Sequence, residues 1–330
     1  MVGGGRYTLI KLLGEGGKCA VWSATDERLG ETVALKFLLP TALDDPRIFG
    51  ELRKEARRSR QLAHQNIVQL YDLYESPDEL PFMIMEFVSG NSLHTVRMLD
   101  PSQFLTWDFL RPVTLQLCHA LDHAHGEGLV HRDIKPANIM VDQRGRVKLA
   151  DFGISGAVND VYTHLLQVRD TRGTVTFMSP QQMDGTLPCP ADDIYALGAT
   201  LYELLTSRAP FYTGDIVHQV RNVIPQPVPA CQSEMGIQNP IPPTVADLIM
   251  ACLQKDPSAR PRSAWEIAKQ IDPNIGDPIV TVRYEQDVAT VTAAIPQPKF
   301  SREFKIVIAA LGILLLMVMA ILYFTWKSGT

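Results

Sequence analysis

The 330-residue chain has no paired cysteine spacing, no long run of like charge, no internal repeat and no basic, apolar start. Cys19, Cys118, Cys189, Cys231 and Cys252 are odd in number and scattered, with no C-x-x-C among them. That excludes a disulfide framework and a cysteine zinc site, and it suits a reducing compartment. The opening residues MVGGGRYTLI lack the cationic and apolar regions of a signal peptide, and Val2 stands where N-myristoylation needs glycine. A net charge of −5 and an isoelectric point near 5.9 offer no basic surface for phosphate backbones, so nucleic acid is excluded as a partner. Disorder is excluded too, because 46% of residues are hydrophobic, only 20% are charged, and no Gly-X-Y period occurs.

What the chain does have is an apolar excess, with a mean hydropathy of +0.00. The excess sits at the end, where Ile306–Trp326 run for 21 residues without a charge. At about 1.5 Å per residue they reach roughly 31 Å, the thickness of a bilayer's hydrocarbon core. A buried core helix rarely keeps unbroken apolarity beyond roughly 14 residues. Lys305 and Lys327 bracket the run, and Tyr323 and Trp326 fall where interfacial aromatics are favoured. One C-terminal transmembrane helix over 305–327 is therefore expected, contacting the bilayer through 306–326. Lys299, Arg302 and Lys305 precede the span and Lys327 alone follows it, which favours a cytoplasmic N-terminal side. The expectation is a single-pass protein of the cell membrane, hung from a C-terminal anchor and carrying no external sensor domain.

Ahead of the span three regimes follow one another. Residues 6–90 mix strand-like runs (YTLIKLL, TVALKFLL, PFMIMEFV) with a charged helical stretch from Pro46 to Ala63. Residues 91–272 carry helical periodicity, clearest over Leu110–His125 and Ile194–Leu205, with short strand-like pieces NIMVD and RVKLAD between. The Pro-rich stretch Pro225–Pro243 reads as a surface loop, and the polar, unpatterned 273–304 as a juxtamembrane linker.

Gly14-Glu15-Gly16-Gly17 follows a strand-like run, and a glycine turn lets backbone N–H groups approach phosphates. Taken alone it also fits any hairpin. A dinucleotide fingerprint would need a helix next, whereas CAVWSATD and TVALKFLL both read as strands. Lys36 lies inside the second of these, where an edge lysine facing solvent is the plain alternative. Glu55 follows 19 residues later on the charged helix, and such a lysine and glutamate can together steady nucleotide phosphates.

The segment His131-Arg132-Asp133-Ile134-Lys135-Pro136-Ala137-Asn138 is the most specific signal, and Asp151-Phe152-Gly153 begins 13 residues after Asn138. Together they resemble the catalytic loop and metal-binding motif of eukaryotic-like (Hanks-type) Ser/Thr protein kinases. The resemblance covers residues 7 to about 272. Its wording at LAHQNIVQLYD and LQKDPSARPRSA is most like the bacterial, membrane-linked branch.

The resemblance implies an α+β, two-lobed kinase fold: a β-rich N-lobe over about 7–88 and an α-rich C-lobe over about 89–272. It implies ATP with Mg²⁺ (Mn²⁺ as a substitute), and protein substrates with Ser or Thr acceptors. Asp133 would be the catalytic base, Lys135 would stabilise the transferring phosphoryl group, and Asn138 and Asp151 would hold the metal. Lys36 and Glu55 would pair. Leu13, Gly14, Glu15, Gly16, Gly17, Val21 and Ala34 would line the nucleotide cleft, with Met85 as gatekeeper and Glu86 to Val88 as hinge. Asp193 would brace the catalytic loop. Lys135 and Gly173-Thr174 favour Ser/Thr over Tyr acceptors. Arg132 would pair with an activation-loop phosphate on Thr171, the first choice, or on Thr163 or Thr176, while Thr174 positions substrate. A homodimer in the membrane plane would favour trans-autophosphorylation, although the span carries no G-x-x-x-G.

Three positions depart from the family pattern. Cys19 replaces the third loop glycine, which should stiffen the loop and sets a thiol of redox interest near phosphate-binding amides. Gln181 replaces the glutamate of A-P-E, reducing its pairing with Arg260 to an ordinary hydrogen bond. Ser59, one turn beyond Glu55, replaces an aliphatic and should leave that helix only marginally held against Phe152 and His131. These motivate a competing reading as a tethered scaffold without turnover, but none of the three touches a proton or a metal. A small-molecule phosphotransferase would lack the long segment with the G-T and S-P-x endings.

Overall fold

The computed structural model describes residues 1–15, 19–38, 46–152 and 175–276, with the backbone alone at 46–49, 51, 52 and 55. Five strands form an antiparallel sheet: β1 (Tyr7–Glu15), β2 (Cys19–Asp26), β3 (Glu31–Leu38), β4 (Leu70–Ser76) and β5 (Glu79–Glu86). Their order is β1-β2-β3-β5-β4, and helix α1 (Pro46–Gln61) joins β3 to β4. Strand alternation sorts side chains between two clusters. Val33 and Leu35 of β3 join Phe82 and Ile84 of β5 in one, while Ala34 and Leu38 join Met83, Met85 and Ala56 of α1 in the other. Lys36 shares the parity of Ala34, so the lysine points to the α1 side and is buried with it rather than facing solvent.

The second lobe is helical. After β6 (Gly90–Ser92) come α2 (Leu93–Leu99) and α3 (Trp107–Gly126). Then β7 (Ile139–Asp142) and β8 (Val147–Leu149) complete a three-stranded sheet ordered β6-β7-β8. Among the described residues six further helices follow: α4 (Pro180–Met183), α5 (Pro190–Thr206), α6 (Ile216–Asn222), α7 (Val228–Glu234), α8 (Pro243–Cys252) and α9 (Ala264–Ile271). Helix α5 is apolar nearly all round and runs through the centre of the largest core, as a helix with no polar face must. Gly198 lets it approach α8: an added Cβ would stand 2.6 Å from the Cβ of Cys252.

One expectation fails here. Pro225–Pro243 is not merely a surface loop, because it contains α7, whose Val228 and Cys231 are buried in the core. Pro227 and Pro229 fall at the start of that helix, where missing N–H groups do no harm, so they admit the helix instead of forbidding it. Among the described residues no helix is long and apolar enough to cross a membrane. The expected linker beyond residue 276 and the expected span at 305–327 lie outside the described residues.

Candidate active site

The His131–Asn138 segment is suspended from the first turn of α5. Asp193, wholly buried there, accepts the backbone N–H groups of His131 and Arg132, each at 2.8 Å. His125 Nε2 also lies 2.8 Å from this carboxylate and must be the donor, since an ionised carboxylate only accepts. The positive end of the α5 dipole adds to these bonds. They hold Arg132 at φ +71°, a left-handed conformation costly for a residue with a side chain. On its other side the Arg132 carbonyl accepts from Gln182 Nε2 at 3.0 Å.

The buried ring of His131 then links two motifs. Its Nδ1 accepts the Asp133 N–H at 3.2 Å and its Nε2 donates to the Ala150 carbonyl at 2.8 Å, which assigns the tautomer. Phe152 stands edge-on to the same ring at 4.6 Å. Asp133 is fixed by Lys135 Nζ at 2.9 Å and by Asn138 Nδ2 at 2.9 Å. Because Asn138 spends its amide nitrogen on Asp133, its oxygen is the atom it can offer a metal. The Ala150 N–H bonds the Asn138 carbonyl at 2.9 Å, bringing Asp151 beside this oxygen donor.

Asp151 adopts φ +68° and meets Lys36 Nζ at 2.7 Å. Burial acts to lower the Lys36 pKa, but Asp151, Cys19 and Asp133 together outweigh it and hold the ammonium above its usual range. Conversely, burial would raise the Asp151 pKa, and Lys36 keeps it lowered. Glu55 lies on α1, but its side chain is outside the described residues, so the expected Lys36–Glu55 pair is too. One turn on stands Ser59, where the sequence led to an expectation of little apolar contact. It is buried, and its hydroxyl donates to the Phe152 carbonyl at 3.0 Å, so a polar tether takes the place of apolar contact.

The roof is the β1–β2 hairpin, with Gly14 opposite Val21 and Glu15 opposite Ala20. Val21 in turn faces Lys36 across β2–β3, and Ala34 faces Met85 across β3–β5. Leu13 is exposed on β1, and Cys19 opens β2 half-buried. The Glu86 side chain turns away from the cleft, to Lys148 at 2.8 Å and the Gln69 N–H at 3.1 Å, which leaves backbone groups for the hinge. The Val88 carbonyl is already taken by the Gly90 N–H at 3.0 Å. Gly16, Gly17, Gly153, Thr163, Thr171, Gly173 and Thr174 lie outside the described residues. Thr176 is described and lines the same cavity as Lys135.

Ser179 caps α4 and bonds Asp192 at 2.5 Å. As expected, Gln181 makes an ordinary hydrogen bond to Arg260, at 2.6 Å. The sequence reading missed Gln182, Asp192 and His125. The first had a legible signal, since S-x-x-Q is a capping box, and the structure closes that box between Ser179 and Gln182.

Two oxygen donors, one carboxylate and one amide, suit Mg²⁺, which is commonly held by one or two carboxylates together with substrate phosphates. Among the described residues no group of three His, Cys, Asp or Glu side chains could form a self-sufficient metal site. The protein kinase domain profile matches residues 7–271. The chain belongs to the protein kinase family.

Its relatives place it in the eukaryotic-like (Hanks-type) Ser/Thr branch. It is 36% identical over 278 residues to a probable serine/threonine-protein kinase of Streptomyces coelicolor, covering 82% of this chain and 40% of that one. To the serine/threonine-protein kinase PrkC of Bacillus subtilis it is 34% identical over 272 residues, covering 81% and 40%. To PknA of Mycobacterium tuberculosis it is 34% identical over 271 residues, covering 81% and 61%. The chain thus spans about two fifths of the Streptomyces and Bacillus proteins. The crystal structure of the M. tuberculosis PknI kinase domain shares the fold, with a TM-score of 0.65 at 23% identity over 82% of this chain and 95% of that one.

Proposed function

We propose that the chain is a Ser/Thr protein kinase that transfers the γ-phosphoryl group of ATP to protein hydroxyls. The observation that carries this reading is the Asp133 carboxylate held between Lys135 and Asn138 in the cleft where Lys36 meets Asp151. In the reaction Asp133 accepts the proton of the substrate hydroxyl as its oxygen bonds phosphorus, and ADP leaves with the electron pair of the broken bond. Lys135 sets a positive charge beside that oxygen, and Lys36 grips the remaining phosphates. Asn138 and Asp151 would hold Mg²⁺ by oxygen, and that ion would supply charge neutralisation to the phosphates. The test is transfer from labelled ATP with Mg²⁺ to a generic protein. Asp133→Asn should lose about 10²–10⁴ in rate with its urea midpoint unchanged, whereas equal incorporation by wild type, Asp133→Asn and Asp151→Ala would sink the reading.

The finer points belong to the same proposal. The kinase domain occupies 7–272, followed by the 273–304 linker and a transmembrane helix over 305–327 that contacts the bilayer through 306–326, with the domain on the cytoplasmic face of the cell membrane. Fractionation tests the anchor: a chain ended at residue 304 should leave the membrane pellet, and its retention there would refute the assignment. Activation-loop autophosphorylation is proposed at Thr171 first, then Thr163 or Thr176, with Arg132 receiving the phosphate. Phosphosite mapping against Asp151→Ala decides among them. A specific rate that rises with enzyme concentration is expected of transfer between two copies.

A further inference from the structure

Within His131–Asn138, Arg132 is the residue whose backbone is left-handed, at φ +71°. Its carbonyl and the Asp133 N–H belong to one planar peptide unit. That unit is gripped at both ends. Gln182 Nε2 donates to the Arg132 carbonyl at 3.0 Å, and His131 Nδ1 accepts the Asp133 N–H at 3.2 Å. The Asp133 side chain departs from this plane, so whatever fixes the plane also aims the carboxylate.

Gln182 is itself fixed. Its Oε1 accepts the Ser179 N–H at 3.1 Å, and its own backbone N–H bonds Ser179 Oγ at 3.0 Å, closing the capping box of α4. Ser179, wholly buried, passes the hold to Asp192 of α5 at 2.5 Å. One partner of the Gln182 amide is a donor and the other an acceptor, so the amide stands one way round, oxygen to Ser179 and nitrogen to Arg132. The cap alone would be served equally by glutamate, which the S/T-x-x-E/Q pattern admits. A carboxylate has no hydrogen to give the Arg132 carbonyl, and it would set two oxygens against each other. The need for glutamine therefore comes from the Arg132–Asp133 peptide and not from the helix.

We propose that Gln182 is a positioning residue for phosphoryl transfer, which from α4 pins the Arg132–Asp133 peptide and so aims the Asp133 carboxylate at the substrate hydroxyl. The inference rests on the kinase reading above and deepens it, because it makes α4 part of the reacting geometry as well as an anchor. Wild type is compared with Gln182→Glu, which keeps the cap and loses the donated bond, and with Gln182→Ala, which loses both. Transfer kcat, KM for ATP and urea midpoints are measured, and amide exchange over His131–Asp133 is followed by mass spectrometry. In both variants kcat should fall about 10- to 100-fold, as for a slightly misplaced reacting group, with KM for ATP within about twofold. Exchange should quicken in both, whereas the midpoint should fall only in Gln182→Ala. A Glu variant with wild-type kcat would overturn the proposal, and so would a slowed variant whose exchange is unchanged. Should Gln182→Glu misfold, Gln182→Lys decides, since it keeps a donor for the carbonyl and loses the acceptor for Ser179. It must recover much of the kcat lost in Gln182→Ala, and equal rates in the two would overturn the proposal. If exchange quickens in Gln182→Glu while wild type transfers no phosphate, the pin stands and the kinase reading falls.

Discussion

Two buried charges in the helical lobe are held in opposite ways. Asp193 takes N–H bonds from His131, Arg132 and His125, so its charge is answered by the segment it shapes. Arg260, 4% exposed, meets neutral acceptors: Gln181 Oε1 at 2.6 Å and the carbonyls of Gln254, Ala191 and Lys255, with the Tyr195 ring face at 5.1 Å. Burial accordingly lowers the Arg260 pKa, partly offset by the Asp192 carboxylate. Lys255 shares that neighbourhood, and burial with Arg260 brings its pKa down to about 8. Where a charge sets loop geometry for chemistry, its bonds go to the loop itself; where it anchors, dipoles suffice and neighbouring cations bear the strain.

The strongest way to break the comparison is Asp193→Ala. It strands two backbone N–H groups at about 1–3 kcal/mol each, so a loss of about 3–5 kcal/mol in urea unfolding is expected, with transfer falling at least about 100-fold. A variant within about 1 kcal/mol of wild type would show that the loop holds its shape without the brace.

Next comes Gly198→Ala, which acts on both sites because α5 carries Asp193 and presents the Ala191 carbonyl to Arg260. Its new Cβ meets Cys252 Cβ at 2.6 Å, so helices must part, at about 1–3 kcal/mol. Thermal unfolding measures this, and an unshifted midpoint would mean that α5 and α8 separate freely.

Gln181→Glu sharpens the comparison by making the second site like the first. The bond from Arg260 has a charged donor and a neutral acceptor, and a carboxylate there adds the attraction of a buried ion pair, so a gain of about 1–2 kcal/mol is expected. The pH dependence changes with it. The folded Lys255 pKa of about 8 lies below its ordinary 10.5. Between those values the unfolded chain holds a proton that the folded chain has released, and stability climbs as pH rises. A carboxylate at 181 should raise the Lys255 pKa and flatten that climb, read from urea midpoints between about pH 7.5 and 10. A climb as steep as in wild type would show that the two sites do not communicate.

Much of this was legible in the sequence, and the reason is local. The residues of His131–Asn138 carry their chemistry at fixed short spacings, and α1, α3 and α5 announce themselves by periodicity. The Gln181–Arg260 bond followed from two motif positions. Other features were not legible because their cause lies far along the chain. Asn66 joins the lobes by donating to the Val147 carbonyl at 2.9 Å, 81 residues away, and its own segment gives no hint of that. Helix α7 was hidden because prolines suppress a helical reading unless their place in the first turn is known. The cavity beside Lys135 is assembled from α2, α5 and loops, and no single stretch encodes it.

Ser59 is the smallest and most discriminating case, since position alone suggested a weakness and the structure puts a bond there. Helix α1 reaches the catalytic segment through one neutral hydroxyl, where Asp193 uses a charge and several donors. Ser59→Ala should therefore cost only about 0.5–1.5 kcal/mol of stability. Its effect on rate should be larger than that figure implies, because the Phe152 carbonyl it releases adjoins Asp151, whose partner is Lys36. A several-fold fall in kcat with a raised KM for ATP, alongside a near-normal urea midpoint, is the expected split. If stability and rate fall together in proportion, the tether is only packing. If neither moves, α1 is held by contacts other than this bond.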